Sequence, residues 1–265
     1  MAKEISKYSE IAVYEAAQLY GETGRFRFLQ FGEDAVQGAV DLRRPERIVL
    51  EYPRAIMALM EHGSPAFRDV FVIGHGIGTL AAHYPEKRFV TAELDDKVVE
   101  LSRAFFGYAG DNVIVGDGRK VLEQQVSGSL DYVVLDAFTK EGTPPHLTTL
   151  EFFAAVREKL RPRGAVILNL MGRPAGDKRV GPVYTTLREV FPYARAFYLP
   201  DRDAAEASGL RNILLVGSGC GIETPGSRNM AGFVELEIEP GYILRDRRPR
   251  GQAEDTGIYT DQSDH

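Results

Sequence analysis

The chain has 265 residues, 44% hydrophobic and 26% charged. This is the balance of an ordinary folded protein, and one large domain with appendages is expected rather than a disordered or fibrous chain. A formal charge of −6 and a pI near 5.5 argue against backbone-driven nucleic-acid binding, which needs a dense Lys/Arg face to displace counterions, so no nucleic-acid partner is expected. The single Cys220 has no partner for an internal disulfide, no charged-then-apolar leader precedes Ile5, and no apolar run approaches the roughly 20 residues of a membrane helix; a cytoplasmic protein with no membrane partner is expected.

Before residue 53 the segments IAVYEA, QLYGE, FRFLQFG and AVQGAV are short, aromatic-rich and Gly-separated, which predicts a small N-terminal β-unit over residues 1–52. PRAIMALMEHG (53–63) predicts the first helix, with Pro53 near its start and Gly63 past its end. From residue 68, β-branched runs alternate with helical patterns: FVIG (71–74), RFVTAEL (88–94), NVIVGD (112–117), LDYVVLD (130–136) and AVILNL (165–170). Near-continuous apolar strands separated by helices mark a mostly parallel sheet covered on both faces. In DKVVELSRAFF the apolar residues fall at i+3 and i+4 spacings, and LEFFAAVREKLRP is expected to stop at Pro162 and Gly164. A further helix (181–191) precedes YARAFYL (193–199) and RNILLVG (211–217), two strands joined by the polar PDRDAAEASG, which predicts an antiparallel edge. The result is an α/β, doubly wound domain over 53–224, followed by a mostly irregular tail over 225–265, with no internal repeat.

Three strand ends carry candidate chemistry. VIGHGIGT spaces Gly74, Gly76 and Gly78 as G-x-G-x-G, a pattern needed either for a tight turn or for close approach of backbone to a ligand. Glu93 closes the next strand in VTAELD, about 20 residues on, where nucleotide-binding sheets place an acid to accept both ribose hydroxyls. Asp95 and Asp96 behind it also read as solvated turn acids. VGDGR then ends the third strand with Asp117 and Gly118, a carboxylate that can accept from an exocyclic amine such as that of adenine and a glycine that lets a ring lie close. Glycine, acid and acid on one sheet edge favour adenosine binding over three unrelated turns.

GHGIG, ELDDKVVELSRAFF, GDGRKVL and LDYVVLDAF, in this order, resemble the spermidine synthase-like family within the class I S-adenosylmethionine-dependent methyltransferase fold. SKYSEIAVYE and GRFRFLQFGEDAVQ resemble that family's N-terminal hairpins, so the resemblance covers roughly residues 5 to 217. It implies a Rossmann-like methyltransferase sheet and a transferase. The co-substrate implied is S-adenosylmethionine or decarboxylated S-adenosylmethionine, held by Gly74, Gly76, Gly78, Glu93, Leu94, Asp117 and Gly118, and the acceptor a small molecule. A homo-oligomer, a dimer, is expected as in related enzymes. No His/Cys cluster has metal-ligand spacing, so no metal is expected.

Asp136, at the end of YVVLD, lies where the resemblance puts the acceptor-facing catalytic acid, which would orient an amine and accept its proton; it could instead cap the next segment or pair with Lys140 or an Arg. Phe138 and the Pro144-Pro145-His146 loop would wall the acceptor side, although Phe138 could be core, and His146 is a candidate second base or a surface residue. His75 in the glycine loop lies near the donor or merely fills space. Tyr8, Gln37 and Tyr52 match positions bordering the site in the family.

The chain departs from polyamine-making members in three places. Ile77 replaces the acid of a GGGDG loop, Thr139 stands where D-S-S-D-P motifs carry a second acid, and Tyr52-Pro53-Arg54 replaces a Tyr-His-Glu triplet. Glu141 could partly compensate, or be solvated surface. Burying an ammonium without a paired carboxylate is costly. Methyl transfer to a small molecule is therefore expected ahead of aminopropyl transfer to an atypical amine, and a non-catalytic nucleoside-binding protein is the reading from another class.

Overall fold

The structure, a computed structural model, describes residues 2–32, 35–139, 142–200 and 209–247. The N-terminal strands β1 (Ala2–Ile5), β2 (Glu10–Leu19), β3 (Glu22–Phe31) and β4 (Ala35–Asp41) form an antiparallel sheet in that order. Tyr20 and Gly21 turn between β2 and β3 with φ of 45° and 80°, the left-handed pair that matches strand twist in a two-residue hairpin. Alternation gives this sheet two apolar faces. Phe26 and Phe28 pack with Val49 and Leu50 at the start of α1 (Glu51–Gly63), while Ile11, Val13 and Leu29 pack on Val98 and Leu101 of α3 (Asp96–Phe106). Arg27, paired with Glu15 at 2.7 Å, also donates to the carbonyl of Phe105 at 2.5 Å, satisfying one of the open carbonyls at the end of α3.

Among the described residues the main sheet has eight strands, with β12 (Val234–Glu235) at one edge, in the order β12-β10-β11-β9-β8-β5-β6-β7. Strands β5 (Asp69–Ile73), β6 (Arg88–Glu93), β7 (Val113–Val115), β8 (Leu130–Leu135) and β9 (Leu160–Gly172) are parallel, and β11 (Arg211–Ser218) runs antiparallel between β9 and β10 (Tyr193–Tyr198). The chain leaves β5 toward β6 and β7, then returns to β8 on the other side of β5. The carboxyl ends of β5 and β8 thus flank a topological switch point, the crevice where open α/β sheets bind ligands. Helices α1 and α2 (Thr79–His83) cover one face; α4 (Gly118–Glu123), α5 (Leu150–Lys159) and α6 (Val180–Val190) cover the other.

Two boundaries differ from the expectations. Helix α5 ends before Pro162, and β9 starts at Leu160, paired with Leu130 across a register shift. The residue before a proline is driven to extended backbone, so Pro162 sits in the irregular start of a strand rather than ending a helix. In the tail, β12 (Val234–Glu235) pairs with β10 at the sheet edge, and the segment after it crosses α6 and α5. There Gly241 and Leu244 donate to Thr185 and Thr186, each at 2.8 Å, and Leu150 donates to the Leu244 carbonyl at 2.8 Å.

Candidate active site

The glycine loop between β5 and α2 needs its glycines. Gly74, Gly76 and Gly78 have φ of 100°, 56° and 80°, a region that L side chains rarely adopt. A Cβ on Gly74 would lie 2.0 Å from the Asp136 carbonyl oxygen, and one on Gly118 would lie 2.3 Å from Ile73, so both sites are closed to any larger residue. Tyr84-Pro85 follows α2, which is only five residues long.

Glu93, at the end of β6, accepts from the backbone N–H of His75 at 2.8 Å and of Asp95 at 2.9 Å, one on each oxygen, tying the glycine loop to the next strand end. Burial pushes its carboxyl up and the backbone donors oppose that. Asp95 is buried as the N-cap of α3, accepting from Lys97 N–H at 3.1 Å, rather than solvated; Asp96 is exposed. Asp117 caps α4 through Lys120 N–H at 3.0 Å, and its other oxygen meets His146 Nε2 at 2.9 Å. The structure therefore places His146 on the Asp117 side of the crevice, paired with that acid.

Asp136 follows β8, its N–H donating to the Ile73 carbonyl at 2.8 Å. Asn169 Nδ2 donates to its Oδ1 at 2.9 Å, Asn212 Nδ2 donates to Asn169 Oδ1 at 2.9 Å, and the Tyr52 hydroxyl is its other side-chain partner. Burial pushes Asp136 up to about 6, against the pull of these two donors. Tyr52 is pushed well above its ordinary range by burial and the facing carboxylate, so it remains a donor. Asp136 is thus neither a cap nor an ion-pair partner among the described residues.

Two lobes of one crevice meet at Gln37, Tyr52, Gly74, His75, Gly76 and Asp136. The larger encloses about 700 Å³, its open mouth included, and adds Phe31, Glu93, Leu94, Asp117, Gly118, Phe138, Thr139, Pro144 and His146. The N-terminal sheet contributes Gln37 and Phe31, so it walls the crevice. Tyr8 is not brought there: it is 45% exposed at the β1–β2 turn, beneath the Lys7 ammonium. Glu141 and Lys140 lie outside the described residues. Thr139 closes a tight turn with Gly142, its N–H and hydroxyl both donating to the Gly142 carbonyl. Ile77 packs against Gly38 of β4, where a Cβ would approach it to 2.6 Å. His75 is 7% exposed and bonds Ser102 Oγ at 2.8 Å; burial, reinforced by Arg103, lowers it to about 4 and keeps it neutral. Arg54 donates to the Leu50 carbonyl and pairs with Glu51, away from the crevice lining.

Asn169 and Asn212 were not singled out. Their signal was a polar residue within the buried run AVILNL and another at the partly buried start of RNILLVG. No group of three or more His, Cys, Asp or Glu able to hold a metal occurs among the described residues, and no helix there is long and apolar enough to cross a membrane. A glycine cradle that a Cβ would fill, two strand-end acids and the apolar Leu94, Phe138 and Leu147 suit a nucleoside.

A family model described as "Spermine/spermidine synthase domain" matches residues 50–206. A polyamine aminopropyltransferase of Chromobacterium violaceum is 30% identical over 188 residues, covering 68% of this chain and 69% of that protein. Putrescine N-methyltransferase 1 of Nicotiana tabacum is 30% identical over 172 residues, covering 61% of this chain and 42% of the relative. Among solved structures, a probable spermidine synthase from Corynebacterium glutamicum superposes with a TM-score of 0.78 at 21% identity, covering 95% of this chain and 98% of that one.

Proposed function

Because the chain belongs to the spermine/spermidine synthase family, whose members are transferases, we propose that it transfers an aminopropyl group from decarboxylated S-adenosylmethionine to the nitrogen of a small amine. The observation that carries this reading is a buried carboxylate, Asp136, held by Tyr52 and Asn169 at the point where the two lobes meet. The donor brings an electrophilic carbon next to a sulfonium. Glu93 and Asp117 would face its ribose and adenine, with Gly74, Gly76, Leu94 and Gly118 against the nucleoside and Gly78 lining the smaller lobe beside it.

The amine lone pair forms the new C–N bond as the C–S pair returns to sulfur, so the positive charge moves from sulfur to nitrogen. Asp136 receives the proton that the nitrogen sheds, directly or through water, and its oxygens aim the lone pair in line with the departing sulfur. A group held near pH 6 is ionised at neutral pH and still accepts a proton at modest cost, so the rate is expected to rise with pH through about 6. Gln37, Phe138 and Thr139 would border the acceptor, while His146, paired with Asp117, would lie toward the adenine.

Methyl transfer from S-adenosylmethionine is the second reading. It is favoured by Ile77 in place of the loop acid that would hold the donor's amine, and by the putrescine N-methyltransferase relatives. Calorimetry with S-adenosylmethionine, its decarboxylated form and methylthioadenosine separates the two. Tighter binding of the decarboxylated donor is expected; preference for S-adenosylmethionine would turn the assignment to methyl transfer, and no binding by any of the three would refute both. A small-molecule acceptor, an assembly of two copies and the division into units 1–52, 53–224 and 225–265 are parts of the same proposal.

A further inference from the structure

Asn169 is completely buried in the middle of β9, flanked by Leu168 and Leu170, where an amide is costly unless both its ends are bonded. Both are: Nδ2 donates to Asp136 Oδ1 and Oδ1 accepts from Asn212 Nδ2, each at 2.9 Å. The register makes this possible. Asn169 lies opposite Leu214 and Asn212 opposite Met171, so the two asparagines are diagonal neighbours on one face of the β9–β11 pair. A carboxylate only accepts, so the amide NH2 of Asn169 must face Asp136 and its carbonyl must face Asn212. The chain of donors has one direction, from Asn212 through Asn169 to the acid.

We propose that Asn169, locked in this orientation by Asn212, is a positioning residue that holds the ionised Asp136 carboxylate toward the acceptor. The inference rests on the reading of Asp136 as the proton-accepting group. A flipped Asn169 would set its carbonyl oxygen against the carboxylate, and Asn212 prevents the flip. Tyr52 from α1 is the titratable group bonded to Asp136; His75, Glu93, Asp117 and His146 line the same crevice. Removing the amide donor leaves Tyr52 alone to oppose burial, so Asp136 should hold its proton to higher pH.

The test is carbon-13 NMR titration of the Asp136 carboxyl in aspartate-labelled protein, with the signal assigned by its loss in Asp136→Asn. Asn169→Leu is expected to raise the midpoint by about one pH unit, and the acid limb of kcat/KM by the same amount, a roughly fivefold loss at pH 6 that approaches about tenfold at lower pH. Asn212→Leu should shift both in the same direction by less. Methylthioadenosine affinity should stay within a few-fold in each. Asn212 is only partly buried, so its variant decides the matter if Asn169→Leu does not fold. Unchanged midpoints in folded variants would overturn the positioning role. If Asp136→Asn retained turnover, the proton-accepting reading would fail and this role with it. Lost turnover in Asp136→Asn together with unmoved midpoints would remove the positioning role alone.

Discussion

Ile77 shows how a single residue can serve the scaffold where relatives are expected to carry charge. Its side chain fills the gap against Gly38 and joins the cluster of Ile11, Leu29, Val98 and Leu101, so it clamps the N-terminal sheet onto the glycine loop. Restoring an acid there with Ile77→Asp is expected to lower stability by roughly 2 kcal/mol, because it places a charge in an apolar contact, and not to improve donor binding. Thermal melts and calorimetry with the decarboxylated donor check both halves. Gly74→Ala should be worse: a φ of 100° and a Cβ 2.0 Å from backbone oxygen leave no relaxed solution. Loss of more than about 2 kcal/mol and of methylthioadenosine binding is expected in the same two measurements. At this scale Gly74, Glu93, Asp117 and Asp136 were legible because their order along the strands implies one sheet edge. Asn169 was not, because a lone Asn in a strand carries no spacing that names its partner.

Among the elements, the segment after β12 does more than close the chain. Asp246 accepts two bonds from Arg119 of α4, at 2.9 and 2.8 Å, and one from Thr149 at 2.8 Å, while Arg119 also donates to the His146 carbonyl at 3.3 Å. This ties the tail, α4, the start of α5 and the loop carrying His146 beside Asp117. Asp246→Ala is expected to cost about 1 kcal/mol, and less at high salt because the pair is partly exposed. Melts at low and high sodium chloride measure it. The described part of the tail, residues 225–247, contains β12 and is otherwise without regular structure, and its attachment was not legible in the sequence, since Arg119 and Asp246 are far apart along the chain and nothing local pairs them. The "GIYTDQSDH" stretch lies outside the described residues.

For the whole molecule, two buried groups pull stability in opposite directions with pH. Asp136 rises from an ordinary 3.8 to about 6, so the folded chain holds its proton more tightly than the unfolded chain; that contribution is full below about pH 4 and lost as pH rises through about 6. His75 falls from 6.5 to about 4, so its neutral form favours the folded state above about pH 6.5 and the contribution is lost as pH falls through about 4. The two slopes offset one another in the parent. In Asp136→Asn the rise of stability with pH due to His75 should emerge, and the variant should gain on the order of 2 kcal/mol over the parent between about pH 4.5 and 7.5. Denaturant unfolding of both proteins across that range checks this; parallel curves would show that Asp136 is not held near 6.

The sequence by itself determined the doubly wound sheet, the antiparallel edge, the glycine loop and the order of strand-end acids, because strand period, glycine spacing and helix patterning are local and add up along the chain. Only the tertiary structure decided that His146 pairs with Asp117, that Tyr8 stands outside the crevice while Gln37 enters it, and that Asn212 and Asn169 back Asp136. Those contacts join segments through strand register and the docking of the N-terminal sheet on α3, which depend on packing between elements far apart in sequence.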